Sequence, residues 1–331
     1  MSYPENPILT QFQRGGVVES VHRGAWVMAT NGGEILDGEG DPQQLVFPRS
    51  ASKSLQALPF VESGAANRFD FGNDALALAI ASHDGEPEHL QVVAAMLDRI
   101  GLSPDSLLCG PQAARHGDLN QPATRLLNNC SGKHAAFLAT AIHLDIDPAT
   151  YLDPDGAIQT AVTAAVTELA QSDKITTAID GCGAPTFRLP LASLATAIAS
   201  VATPNLLAPE RQAACRRLVE AAAAHPNLVG GSTGRFESDL MRVTEGRLFA
   251  KIGAEGVFVI GVVGAGTGLA LKIDDGSFRA IDYYLTQLLR QLDLITEDEV
   301  EQLGRWADPS IRNWDGHVVG QQEVVRHVND R

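Results

Sequence analysis

The chain has 331 residues, 44% of them hydrophobic, with a formal net charge of −15 and a pI near 4.9. That length can bury a large core, as one elaborate domain or as two interlocked lobes. The acidic balance argues against nucleic acid or an anionic membrane surface as partner, because both require a positive face to attract them.

The opening segment Met1-Ser-Tyr-Pro-Glu-Asn-Pro7 shows no basic start followed by an apolar stretch, and nowhere does the chain approach the ~20 apolar residues of a membrane span. A cytoplasmic protein is expected. Residues 16–22 and 25–30 alternate and are rich in β-formers, and Asn31-Gly-Gly33 is a turn signal before a strand at 34–37, which together predict an antiparallel meander. From Ser50 the spacing turns helical, with Leu55, Leu58 and Pro59 closing a first helix and further helices at 75–81 and 89–100. The alanine-rich middle favours helices over 131–143, 157–171, 191–201 and 209–223. Strand signals return at 247–251, 256–263 and 268–273, followed by an amphipathic helix over 281–292.

The fold class predicted is α+β. Residues 1–49 and 240–331 form one antiparallel sheet lobe flanked by helices, and residues 50–239 are inserted as an all-helical lobe of the same single domain. Cys109, Cys130, Cys182 and Cys215 are too widely spaced for a small disulfide scaffold, so free or metal-bound thiols are expected.

Lysine occurs only at positions 53, 133, 174, 251 and 272. An amine can lose its proton when desolvated or placed beside another cation, whereas a guanidinium cannot, so lysine is where a general base is sought. In Phe47-Pro-Arg-Ser-Ala-Ser-Lys-Ser54, Ser50 and Lys53 stand three apart at a helix start and project from one face. A hydroxyl nucleophile, an amine base and free backbone N–H groups for an oxyanion would then come from a single turn. The same pattern is also that of an ordinary N-cap with a solvated lysine.

Ala81-Ser-His-Asp-Gly-Glu-Pro-Glu-His89 gathers a hydroxyl, two imidazoles and three carboxylates in a loop whose composition also suits a solvated connector. Lys251 ends a strand just before glycines, where either a binding edge or a simple turn is expected. Asn128-Asn-Cys-Ser-Gly-Lys-His134 and Ile179-Asp-Gly-Cys-Gly-Ala-Pro185 set cysteines among small polar residues, as zinc ligands or as plain reduced thiols. Gly264-Ala-Gly-Thr-Gly268 lacks the lysine and helix of a phosphate cradle and is read as a hairpin turn.

In this order, Arg49-Ser-Ala-Ser-Lys53, Ser82-His-Asp-Gly-Glu86, Asn129-Cys-Ser-Gly-Lys-His134, Asp180-Gly-Cys-Gly183 and Lys251-Ile-Gly-Ala-Glu-Gly256 resemble the rhizobial-type, serine-dependent L-asparaginases. Gly231-Ser-Thr-Gly-Arg-Phe236 and the tail 313–320 extend the resemblance over nearly the whole chain. It implies the architecture of serine β-lactamases and Ser-x-x-Lys glutaminases, with two Ser-Lys pairs, Ser50 with Lys53 and Ser82 with Lys251, meeting in one cleft. It further implies zinc held by Cys130, Lys133 and Cys182, Asp180 and His134 near the site, and a homodimer.

The activity expected is hydrolysis of L-asparagine to aspartate and ammonia, with Arg49 facing the substrate carboxylate and Asp180 or Glu86 its ammonium. Isoleucine at position 252, where β-lactamases carry Ser or Thr, and the lack of a Ser-Asp-Asn triplet count against penicillin chemistry. A glutaminase, a β-lactam-processing hydrolase and a non-catalytic amino-acid-binding module are the alternatives.

Overall fold

The computed structural model describes residues 5–113 and 122–325. Residues 1–4, part of the segment read above for a leader pattern, lie outside them. The main sheet is antiparallel and built from both ends of the chain. Its strands are β1 (Ile8–Arg14), β2 (Val17–Thr30) and β3 (Ile35–Glu39) from the N-terminal part. From the other end come β7 (Leu248–Ile252), β8 (Val257–Val262), β9 (Thr267–Ile273), β10 (Ser310–Arg312) and β11 (Val318–Val324). The order is β10-β11-β1-β2-β9-β8-β7, with β3 also on β2.

The two strands expected at 16–22 and 25–30 are one 14-residue strand. β2 pairs with β1 up to Arg23 and with β9 from Gly24. A Cβ at position 24 would strike the Lys272 carbonyl, so glycine lets the strand pass from one partner to the other. β8 is buried at every position, and the helix α8 (Leu191–Ala202) packs on β9, β2 and β8. Its small residues come unusually close. A Cβ at Gly268 would lie 2.5 Å from the Ala195 carbonyl oxygen, and one at Gly261 would lie 2.6 Å from the Ala202 Cβ.

Between β3 and β7 the chain is mainly helical. The short helices α1 (Lys53–Gln56), α2 (Leu58–Glu62) and α3 (Ala65–Arg68) lead to α4 (Asn73–Ala79) and α5 (Pro87–Arg99). They are followed by α6 (Ser131–His143), α7 (Ala157–Ala170), α8, α9 (Pro209–Ala224), α10 (Pro226–Val229) and α11 (Phe236–Val243). Past the last sheet crossing come α12 (Asp282–Gln291) and α13 (Glu297–Leu303). The inserted region is not purely helical: its β5 (Thr176–Ile179) and β6 (Pro185–Pro190) join β4 (Leu45–Val46), just before it, in a second sheet of order β4-β6-β5. This sheet ties the segment before Arg49 to the Asp180–Gly183 turn.

The α+β class holds, with the sheet drawn from both termini and the helices inserted between. No helix among the described residues is long and apolar enough to cross a membrane.

Candidate active site

Ser50 sits in a single 3-10 turn, Arg49–Ser52, that runs into α1. Arg49 has φ +51°, a left-handed conformation that costs a non-glycine residue about 1 kcal/mol or more. Two nitrogens of its guanidinium lie 2.6 and 2.7 Å from Asp180 Oδ1, which holds the strained residue in place and with it the orientation of Ser50. Behind the turn, a Cβ at Gly253 would strike the Pro48 carbonyl. The close approach foreseen for the Lys251–Gly253 glycine is therefore made by the protein's own backbone, not by a ligand.

The Ser82 loop is a buried structure, not a solvated connector. Ser82, His83 and Asp84 are 4%, 0% and 3% exposed. Their backbone N–H groups bond to the carbonyls of Val229, Asn129 and Gly230, and His83 Nε2 lies 2.8 Å from Ser131 Oγ. Arg235, from the Gly231–Phe236 block, clamps the loop from the other side. It donates to Asp84 Oδ1 at 2.6 Å, to the Ser82 carbonyl at 3.0 Å and to Glu237 Oε1 at 2.7 Å.

The Lys53 amine is fully buried and donates to the Ala81 carbonyl at 2.5 Å, Ser82 Oγ at 3.0 Å and the Asn129 carbonyl at 3.4 Å. Its hydrogen-bonded serine is thus Ser82, across the fold, and not Ser50 one turn away. Lys251, equally buried, donates to the Ile252 carbonyl at 3.0 Å. Neither Ser50 with Lys53 nor Ser82 with Lys251 is hydrogen-bonded among the described residues. Burial pushes the pKa of Lys53 down, with the charge of Lys133 adding to the fall and Cys130 opposing it. Burial pushes Lys251 down to about 7, against the pull of Glu237 and with help from Lys53 and Arg235.

Ser50 and Ser82 line one cleft of about 300 Å³, together with Asn129, Arg235, Glu237 and Asp282. Asn129 and Arg235 fall inside blocks the sequence marks, but Glu237 and Asp282 were not singled out at all. The acids and the cation assigned to substrate binding are committed elsewhere. Arg49 and Asp180 neutralise each other, and Glu86 accepts from the backbone and hydroxyl of Ser232, both at 3.0 Å. None of the three lines the cleft. His134 is fully buried with its Nδ1 2.7 Å from the Tyr151 hydroxyl, and burial followed by the charges of Lys133 and Lys53 keeps it neutral.

Cys130, at the start of α6, and Cys182, in the β5–β6 turn, do come together. Lys133 Nζ lies 3.4 Å from Cys182 Sγ, and Cys130 Sγ lies 3.1 Å from Asn129 Oδ1. Cys130 is held well below the ordinary thiol range by the neighbouring Cys182, with the charges of Lys53 and Lys133 adding to it, while Cys182 is raised. Two sulfurs and one amine are donors zinc accepts, provided Lys133 gives up its proton. Among the described residues there is no cluster of three or more His, Cys, Asp and Glu that could hold a metal ion.

Comparison with solved structures finds distant likenesses. A β-lactamase from Mycobacterium bovis matches with a TM-score of 0.43 and 17% identity, covering 81% of this chain and 94% of the other. Mglu in its glutamate form matches with a TM-score of 0.44 and 14% identity, covering 88% of this chain and 66% of the other. No curated protein matches the chain. The model of one family, L-asparaginase II, spans residues 10–324, and the chain belongs to that family.

Proposed function

We propose that this asparaginase-type amidohydrolase converts L-asparagine to L-aspartate and ammonia, with Ser50 as nucleophile. The observation that carries the reading is the cleft lined by Ser50 and Ser82, with the buried amine of Lys53 hydrogen-bonded to Ser82 Oγ. Ser50 Oγ attacks the side-chain amide carbon and its proton passes to Lys53. Backbone N–H groups at the start of the Arg49–Ser52 turn face the oxyanion, a donor of this kind being worth about 3 kcal/mol.

As the C–N bond breaks, Lys53 returns the proton through Ser82, to which it is already bonded, and ammonia leaves. Water then cleaves the Ser50 ester to release aspartate. Proton transfer of this kind supplies roughly 10²–10⁴-fold. Burial, with the charge of Lys133 adding to it, keeps Lys53 partly neutral, and Lys251 is brought down to about 7 by burial with help from Lys53.

Zinc, by the same proposal, would be held by Cys130, Lys133 and Cys182 and would supply Lewis-acid chemistry there. No proton transfer above depends on it.

Ser50→Ala should melt at the wild-type temperature and release no ammonia from asparagine. Near-wild-type release by the variant refutes the nucleophile. Faster turnover of glutamine or nitrocefin than of asparagine by the wild type refutes the substrate.

A further inference from the structure

Glu237 is completely buried, at the first turn of α11, and lines the cleft. Its Oε1 accepts from Arg235, but its Oε2, also shielded from solvent, has no hydrogen-bond partner. A carboxylate oxygen left so in a buried wall is a position waiting for a donor. The donors already nearby are shared out. Arg235 divides itself between Asp84 and Glu237, and the nitrogen of Lys251 is bonded to the Ile252 carbonyl.

Asp282, the first residue of α12, is a second carboxyl in the same cleft and is half-buried. Burial, then the charge of Glu237, push it up to about 7, against Arg305 and Arg235. Two acids thus line one space: against burial, Arg235 and Lys251 hold Glu237 low, and Asp282, driven toward its neutral form, is the acid left short of positive charge. Phe236, Phe278 and Trp306 also line the cleft and limit the water that would otherwise solvate the acids, the Trp306 ring already carrying the Arg305 guanidinium 4.2 Å from its centroid.

We propose that Glu237 and Asp282 form the subsite that receives the α-ammonium of the amino-acid substrate. The inference rests on the asparaginase reading above and supplies the acids that Asp180 and Glu86 do not. An ammonium has three donors, enough to bond the carboxyl groups of Glu237 and Asp282 together. With its ammonium fixed in this corner, the substrate extends its amide toward Ser50 along the same cleft.

The test uses pairs of compounds that differ only in the ammonium. For turnover, L-asparagine is compared with succinamate, which has the same amide and carboxylate; for binding, L-aspartate is compared with succinate by calorimetry. Wild-type enzyme should prefer the ammonium-bearing member of each pair. Asp282→Asn should lower the asparagine-to-succinamate ratio of kcat/KM by roughly ten- to a hundredfold, mostly through KM, and should erase the preference for aspartate. Glu237→Gln should do the same.

A merely structural role slows both substrates equally and leaves the ratio unchanged, and that result overturns the subsite. Asp282→Asn keeps size and polarity at a half-buried site, so it remains informative if the Glu237 variant does not fold. A wild type that turns over neither amide defeats the asparaginase reading, while the aspartate and succinate binding still decides the subsite: equal binding of the two overturns it.

Discussion

Replacing Lys251 with methionine should make the protein more stable and inactive at once. The amine is fully buried with one carbonyl as its hydrogen-bond partner, and burial takes its pKa from 10.5 to about 7. A base whose pKa falls on folding binds its proton more tightly in the unfolded chain. Between pH 7 and 10.5 the unfolded state therefore holds more protons, and stability rises with pH. At about 1.4 kcal/mol per pH unit, the cost of this lysine reaches about 5 kcal/mol below pH 7 and vanishes above pH 10.5. Methionine has similar length and no charge to desolvate. Some of the gain returns, because Glu237 loses a neighbouring cation and the Ile252 carbonyl loses a donor. A net gain of about 2 kcal/mol near pH 7 is expected, worth roughly 3 °C in melting temperature for a chain of this size. Urea unfolding of wild type and variant at pH 7 and pH 10 reads it directly. A variant that is less stable at pH 7, or a gain that does not shrink toward pH 10, refutes the placement of Lys251 as a desolvated amine.

Arg235→Met would take the paired guanidinium from the buried carboxylates of Asp84 and Glu237 and should cost about 3–5 kcal/mol in urea unfolding, with Arg235→Lys restoring only part because the fork that spans Asp84, Glu237 and the Ser82 carbonyl is lost. Ser82→Ala removes the hydroxyl that Lys53 holds; ammonia release should fall roughly 10²–10⁴-fold with melting unchanged to within about 1 kcal/mol. Gly268→Ala pushes a methyl into Ala195 and Ala199 of α8 and should lower stability by about 1–3 kcal/mol in thermal unfolding without altering the cleft. After loading and dialysis, the wild type should retain about one zinc per chain by elemental analysis and shield its thiols from alkylation, while Cys182→Ser should lose both effects.

Elements with strong local signals were legible from the chain alone. α6 to α9 fall within a residue or so of their expected bounds because alanine-rich apolar periods are closed by clear stops, and Pro209 opens α9 at a position that needs no N–H. β11 carries Gly-Gln-Gln-Glu between valines, shows no clean alternation, and is a strand only because β1 and β10 lie beside it. β5 and β6 were hidden in the same way inside the helical stretch.

At the site, motif order placed Ser50 and Ser82 in one cleft, but hydrogen-bond partners depend on where long side chains are drawn. Lys53 turns to three acceptors contributed by residues 81, 82 and 129, which no spacing within its own helix could indicate. Asp180 and Glu86 were chosen for being near motifs. The acids that face the cleft lie 45 residues apart in sequence, one after a glycine-rich turn and one at a helix start, and only the fold brings them together.

Four of the five lysines in this chain are buried, and only Lys174 is exposed. Arginine is found instead at Arg49, against Asp180, and at Arg235, against Asp84 and Glu237. The division follows from what each cation can do. At Arg235 the charge must persist, because two buried carboxylates depend on it, and a guanidinium does not surrender its proton to a dry environment. At positions 53 and 251 the same burial has the opposite use, since desolvation lowers an amine toward the neutral form that can accept a proton from a hydroxyl. Exchanging the two residue types would preserve net charge and defeat both purposes. Arginine at 53 would remain charged beside Ser82 and take no proton, and lysine at 235 would have neither the reach nor the permanence to hold the loop that carries Ser82.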